Sequence, residues 1–127
     1  MALRGTNTER QVIEKVATLT YLDNGKVIEL FTLPANAHIM RFMVDVETAF
    51  DDTGTDLLDI GKIGSGEFFA ADVTLAVATQ VIVEQYELGD VGNRLITVTG
   101  TYAGQNSNAT AGKAHIYCFY STKYGRK

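Results

Sequence analysis

At 127 residues, with 46% apolar residues and a net charge of −4, the chain has the size of one domain, and a chain this long buries roughly two-thirds of its unfolded surface. No window approaches the ~18 unbroken apolar residues of a spanning helix, and Lys and Arg are not massed as in a domain that grips phosphate backbones, so neither a membrane nor a nucleic acid is expected as partner. Cys118 is the only cysteine, which excludes an internal disulfide and a cysteine-based zinc site, and MALRGTNTERQ lacks the apolar core of a signal peptide, so synthesis in a reducing cytoplasm is expected.

In chain order, residues 1–10 read as a flexible N-terminal arm, 11–121 as a single domain and 122–127 as a basic C-terminal tail. ERQVIEKV is the one stretch that reads as a short helical turn. It overlaps a strand near 11–21, where VATLTY sets Ala17, Leu19 and Tyr21 against Thr18 and Thr20. LDNGKV carries Asn24-Gly25 between two apolar runs, a hairpin signal, because both residues tolerate positive φ. A second strand near 26–33 stops at Pro34, which has no N–H to give a ladder. HIMRFMVDVETAF, near 38–49, places Met40, Phe42, Val44 and Val46 on one face and Arg41, Asp45 and Glu47 on the other. Past the acidic turn DDTGTD come strands near 56–61, 67–77 and 79–87. The second of these alternates Phe69, Ala71, Val73, Leu75 and Val77 against Asp72 and Thr74. RLITVTGTY, near 94–102, sets Ile96, Val98 and Tyr102 opposite Thr97, Thr99 and Thr101. A last strand near 113–121 follows the polar loop AGQNSNATAG.

About eight short strands with no helices between them predict an all-β protein, an antiparallel sandwich or barrel of jelly-roll-like type. An immunoglobulin-like sandwich is the runner-up, without the tryptophan or cysteine pair that would support it.

Candidate chemistry is sparse. Asp51, Asp52, Asp56 and Asp59 in DDTGTDLLD offer hard oxygens on a glycine-containing turn. Asp51, Asp52 and Asp56 are therefore weak calcium candidates, without the EF-hand spacing. Asp45 and Glu47 share a strand face with carboxyls roughly 5–7 Å apart, as solvated strands commonly do. His38 and His115 fall on separate strands with no metal-site spacing. Cys118 lies in HIYCFY among apolar neighbours, as a buried thiol does. GKIGSGE has its lysine before the last glycines and no helix after it, unlike a phosphate loop. No enzyme and no cofactor is expected. HIYCFYS is apolar on both faces, Ile116, Cys118 and Tyr120 against Tyr117 and Phe119, so one face is covered either by the fold or by a partner. Together with Phe68 and Phe69, the aromatic residues Tyr117, Phe119 and Tyr120 are the candidates for self-contact.

TLPANAHIMRFMVDVETAFDDTGTDLLDIGKIGSGEFFA, followed by GTYAGQNSNATAGKAHIYCFYS, resembles small virion structural proteins of tailed bacteriophages. The likeness lies in an LPANA loop feeding an alternating strand, a TAF–D–GT turn, an IG strand and a late TAGKAxIY strand, over about residues 30–121. It implies a non-enzymatic part of the particle, made in the host cytoplasm and β-rich. Such parts include capsid decoration (cement) proteins, head-fibre bases and tail components. A decoration protein on the capsid surface is the leading reading, with a tail or baseplate module or a receptor- or carbohydrate-binding sandwich as alternatives. Its partners would be itself, as a closed trimer set on a symmetry axis, and the major capsid protein. Arg4 and Arg10 in the arm and Lys123, Arg126 and Lys127 in the tail would make the shell contact.

Overall fold

Period-two alternation becomes strand over most of the described stretches that carry it. The run expected as strand over 67–77 ends at Thr74 and leaves Val77 exposed, and the strand expected over 79–87 is described only to Val83. In the computed structural model, which describes residues 12–83 and 94–122, the strands are β1 (Val12–Thr20), β2 (Val27–Leu33), β3 (Ala37–Thr48), β4 (Asp56–Lys62), β5 (Ser65–Thr74), β6 (Gln80–Val83), β7 (Ile96–Gly104) and β8 (Lys113–Thr122). The helical turn read at ERQVIEKV does not form from Val12 onward. Those residues lie in β1, antiparallel to β8 from Val12 opposite Ser121 to Thr20 opposite Lys113. The β-branched Val12, Ile13 and Val16 suit the pleat, and inward burial of Ala17 and Leu19 favours the strand. Among the described residues, helix is confined to one 3-10 turn, Tyr21–Asp23, with Thr20 and Asp23 closing a capping box.

The strands form two four-stranded antiparallel sheets, ordered β1-β8-β3-β6 and β2-β7-β4-β5. Only β4 and β5 are neighbours both in sequence and in a sheet; every other connection crosses between sheets. This is a jelly-roll-like sandwich. The immunoglobulin alternative sets its first two strands side by side, whereas here they lie in opposite sheets.

That crossing also explains the fate of Asn24-Gly25. The pair does turn the chain, with Asn24 at φ −56° and ψ 130°, Gly25 at φ +79°, and the Lys26 N–H donating to the Asp23 carbonyl at 3.0 Å. This is a type II turn, whose twist does not match a two-residue hairpin. It carries β1 across to β2 instead of pairing them.

The core lies between the sheets and is built from Leu19, Leu33, Ile39, Phe42, Leu58, Ile60, Ile116 and their neighbours. Phe42 packs on Phe69, and Phe50 meets Tyr102 edge-on at 4.8 Å. The phase within several strands is set by β-bulges. In β3, Ile39 opposes Tyr120 and Arg41 opposes Phe119, so Met40 is the extra residue. Ile39 consequently joins Phe42 in the core and Met40 turns to solvent, the reverse of strict alternation. A second bulge, at Ala71-Asp72 with Asp72 at φ +60°, turns Ala71 outward and leaves Phe69, Ala70 and Val73 inside.

Four crossovers gather at one end of the sandwich: β1–β2, β3–β4, β5–β6 and β7–β8. The β2–β3 turn at Pro34–Asn36 and the β4–β5 turn lie at the other end, where Val12 pairs with Ser121.

Candidate assembly face and the loop cap

At the crossover end the acidic turn works as a clasp. Asp51 accepts the Thr110 N–H at 2.7 Å, the Thr110 hydroxyl at 2.8 Å and the Ala111 N–H at 3.0 Å. Asp52 accepts N–H groups of Gly54, Asn106 and Asn108. Buried Asp56 accepts the Tyr102 hydroxyl at 2.5 Å. Thr53 takes both the Asn106 and the Asn108 side-chain amides at 2.9 Å. The β3–β4 and β7–β8 loops are thereby stitched together, and Asn24 ties in the first crossover by accepting the Gly104 N–H at 2.9 Å. Gly112 completes the fit: its φ is +151°, and a Cβ there would stand 2.5 Å from the Phe50 ring.

The electrostatics follow from these bonds. Thr110 and Ala111 hold the Asp51 carboxyl below its ordinary range. Partial burial alone would raise Asp52, but N–H donors from Gly54, Asn106, Asn108 and Ser107 outweigh it and bring it down. Burial, donation to Asp56 and the nearby carboxylates push the Tyr102 phenol well up. The aspartates read as calcium candidates thus have their oxygens turned to the chain's own donors. Among the described residues, no three His, Cys, Asp or Glu side chains form a metal-holding group.

The outer face of β1-β8-β3-β6 has a different character. Register sets Val16 beside Tyr117, Tyr117 beside Met43, and Met43 beside Ile82, an apolar row across all four strands. Val16 is 55% exposed and Ile82 56%, so the row's ends are open among the described residues. Next to it Phe119 stacks near-parallel to Tyr117 at 6.4 Å, with the Arg41 guanidinium 4.4 Å above its ring. On the other flank the His115 imidazole is hydrogen-bonded to Thr18 at 3.1 Å and to Glu47 at 2.7 Å, with Lys113 4.0 Å from the same carboxylate. These partners hold the Glu47 carboxyl below its usual value, the His115 bond first. Sequence spacing missed this cluster. A bulge at Glu47, between Val46 opposite Ala114 and Thr48 opposite Lys113, aims the carboxylate at His115, and no local pattern announces a bulge.

The aromatic candidates divide. Tyr117 and Phe119 lie on this outer face, and Phe68 is exposed on β5 with Lys62 4.0 Å from its ring centre. Tyr120 and Phe69 point into the core, 4% and 3% exposed, so in this fold they support the surface from beneath. Cys118 is also buried there, which pushes its thiol up to about 12, with Lys15 pulling slightly the other way. Arg4, Arg10, Lys123, Arg126 and Lys127 lie outside the described residues.

No family model matches the chain, and no curated protein matches it. Solved structures do share its fold. A chain of a cyanophage Pam1 capsid asymmetric unit superposes with TM-score 0.72 at 17% identity, covering 96% of this chain and 92% of that one. A chain of the acid-stable capsid of Helicobacter pylori bacteriophage KHP30 gives 0.65 at 17% identity, covering 89% and 93%. A chain of the Ralstonia phage GP4 capsid gives 0.65 at 18% identity, covering 98% and 91%. Coverage is near-complete on both sides each time, so the whole sandwich is shared. Among the described residues, no helix is long and apolar enough to cross a membrane, which says nothing of a β-barrel.

Proposed function

We propose that the chain is a non-enzymatic structural protein of a tailed-phage virion, a capsid decoration (cement) protein that binds the assembled head and stabilises it. The observation carrying this reading is the full-length likeness to chains of three phage capsid structures. The aromatic row on the outer sheet face supports it, because an exposed apolar face of this kind is what an assembling surface provides. Binding only the folded, assembled shell would stabilise the head by mass action.

Tyr117, Phe119 and Phe68 are the proposed self-contacts of a trimer, and Arg4, Arg10, Lys123, Arg126 and Lys127 the proposed contacts to the major capsid protein. Charge favours this division. Residues 1–11 carry +1 and residues 123–127 carry +3; against −4 overall, the remainder carries −8. Val12 and Thr122, to which the two basic segments are joined, lie at the same end of the sandwich.

The test is binding of purified protein to heads and to tail tubes, with and without residues 1–10. Co-sedimentation with heads, weakened by salt and by removing residues 1–10, is expected. Association with tail tubes and none with heads would replace this reading by the tail-module one.

A further inference from the structure

At the end opposite the loop cap, an open groove of about 490 Å³ is lined by Lys62, Ile63, Arg94, Leu95, Ile96 and Thr97. Ile63 and Leu95 are 64% and 62% exposed, so the groove offers apolar walls beside two cations. Among the described residues Arg94 has no acidic partner. On the outer face of the other sheet, the edge strand β1 presents Val12, Glu14 and Val16 in a row. These are two exposed valines about 13 Å apart with a carboxylate between them. Glu14 likewise has no cationic partner among the described residues.

We infer that the groove at Lys62, Ile63, Arg94 and Leu95 receives the Val12-Glu14-Val16 ridge of a second copy of this chain. Glu14 would lie between Lys62 and Arg94, and the valines against Ile63 and Leu95. Three features support this occupant. The charges are opposite and the apolar groups match. The two surfaces stand at the same level along the sandwich, since Lys15 donates to the Thr32 carbonyl at 2.8 Å, and Thr32 pairs with Thr97 of the groove wall. They also belong to different sheets, so each copy offers one of each. That arrangement is heterologous, the kind that closes into a ring or runs on as a filament, and not a two-fold dimer.

Lys15 adds a reason for β1 to dock by its face. An inward-reaching lysine that bridges two edge strands discourages edge-to-edge pairing. Tyr117 and Phe119 lie directly beside the ridge, opposite Val16 and Glu14, so the same contact would cover part of the aromatic row.

The inference rests on the self-association proposed above, and a charge swap separates the two. Sedimentation equilibrium would compare the wild type with Glu14→Lys, Arg94→Glu and the double variant; the unchanged melting of these surface variants verifies their folding. Each single change is expected to weaken association about tenfold or more, and the double change to recover most of it. Wild-type chains that stay monomeric to about 100 μM, single changes without effect, or a double variant no better than the singles would each overturn the interface. Head binding by a wild type whose association ignores these charges would overturn the interface and leave the capsid role standing. Swap rescue without head binding would uphold the interface and remove the role.

Discussion

β7 and β8 hold equivalent places in the two sheets, each the second strand in its order, yet their outer faces differ in kind. Their inner faces are alike: Val98 and Tyr102 on one, Ile116, Cys118 and Tyr120 on the other, all buried. Outward, β7 shows Thr97, Thr99 and Thr101, while β8 shows His115, Tyr117 and Phe119. Thr97 and Thr101 satisfy the pleat and water together, while Thr99, at 1% exposure, is already covered within the chain. Neighbouring aromatic rings, half-buried here, leave apolar area that a partner would remove from water. The difference sets the proposed assembly face of the β8 sheet apart from the threonine-bearing outer face of β7.

The largest effect expected separates the faces of β8 itself. Ile116→Ala, in the core, should cost about 2–5 kcal/mol in chemical denaturation. The paired change Tyr117→Thr and Phe119→Thr should move the isolated chain by less than about 1 kcal/mol while abolishing self-association in sedimentation. An equal loss of stability from both would erase the distinction.

On β7 the test concerns the strand's end. Tyr102→Phe removes the donor to buried Asp56 and should cost about 1.5–3 kcal/mol. The same cap should respond to acid. The Asp51, Asp52 and Glu47 carboxyls lie below their ordinary values of 3.8, 3.8 and 4.5 when folded, so the unfolded chain binds protons first as pH falls. Their stabilisation is present above about pH 4.5 and is lost as pH drops through the lowered folded values. Thermal melts from pH 6 to pH 2.5 should show that decline, and Asp52→Asn should flatten it. The smallest effect has the opposite sign. The Thr99 hydroxyl is buried without a hydrogen-bond partner, so Thr99→Val should leave stability unchanged or raise it by up to about 1 kcal/mol.

The sequence made this comparison legible in part. Alternation in RLITVTGTY and HIYCFY gave the inner and outer faces of both strands, because period two is a local property that a pleated chain obeys residue by residue. Pro34 located the β2–β3 turn because a missing donor is also local. Phase failed where a bulge intervened. Met40, expected inside, is outside, and Ala71 leaves the predicted inner row, since the extra residue of a bulge takes itself off the face that alternation assigns it. Pairing failed too: Asn24-Gly25 makes a turn, but which strands it joins depends on contacts far along the chain. The His115–Glu47 contact and the Asp51–Thr110 clasp were illegible for the same reason, each joining residues 68 and 59 apart.

The central claim is that assembly covers the Tyr117–Phe119 face of β8 and leaves open the part of the other sheet around Val27 and Leu57, away from the groove. Hydroxyl-radical footprinting of the dilute monomer and of the chain bound on phage heads tests it most directly. Met43, Tyr117 and Phe119 should lose most of their labelling on assembly, while Val27 and Leu57 in the other sheet keep theirs. Equal labelling of Met43, Tyr117 and Phe119 in the two states would contradict the account.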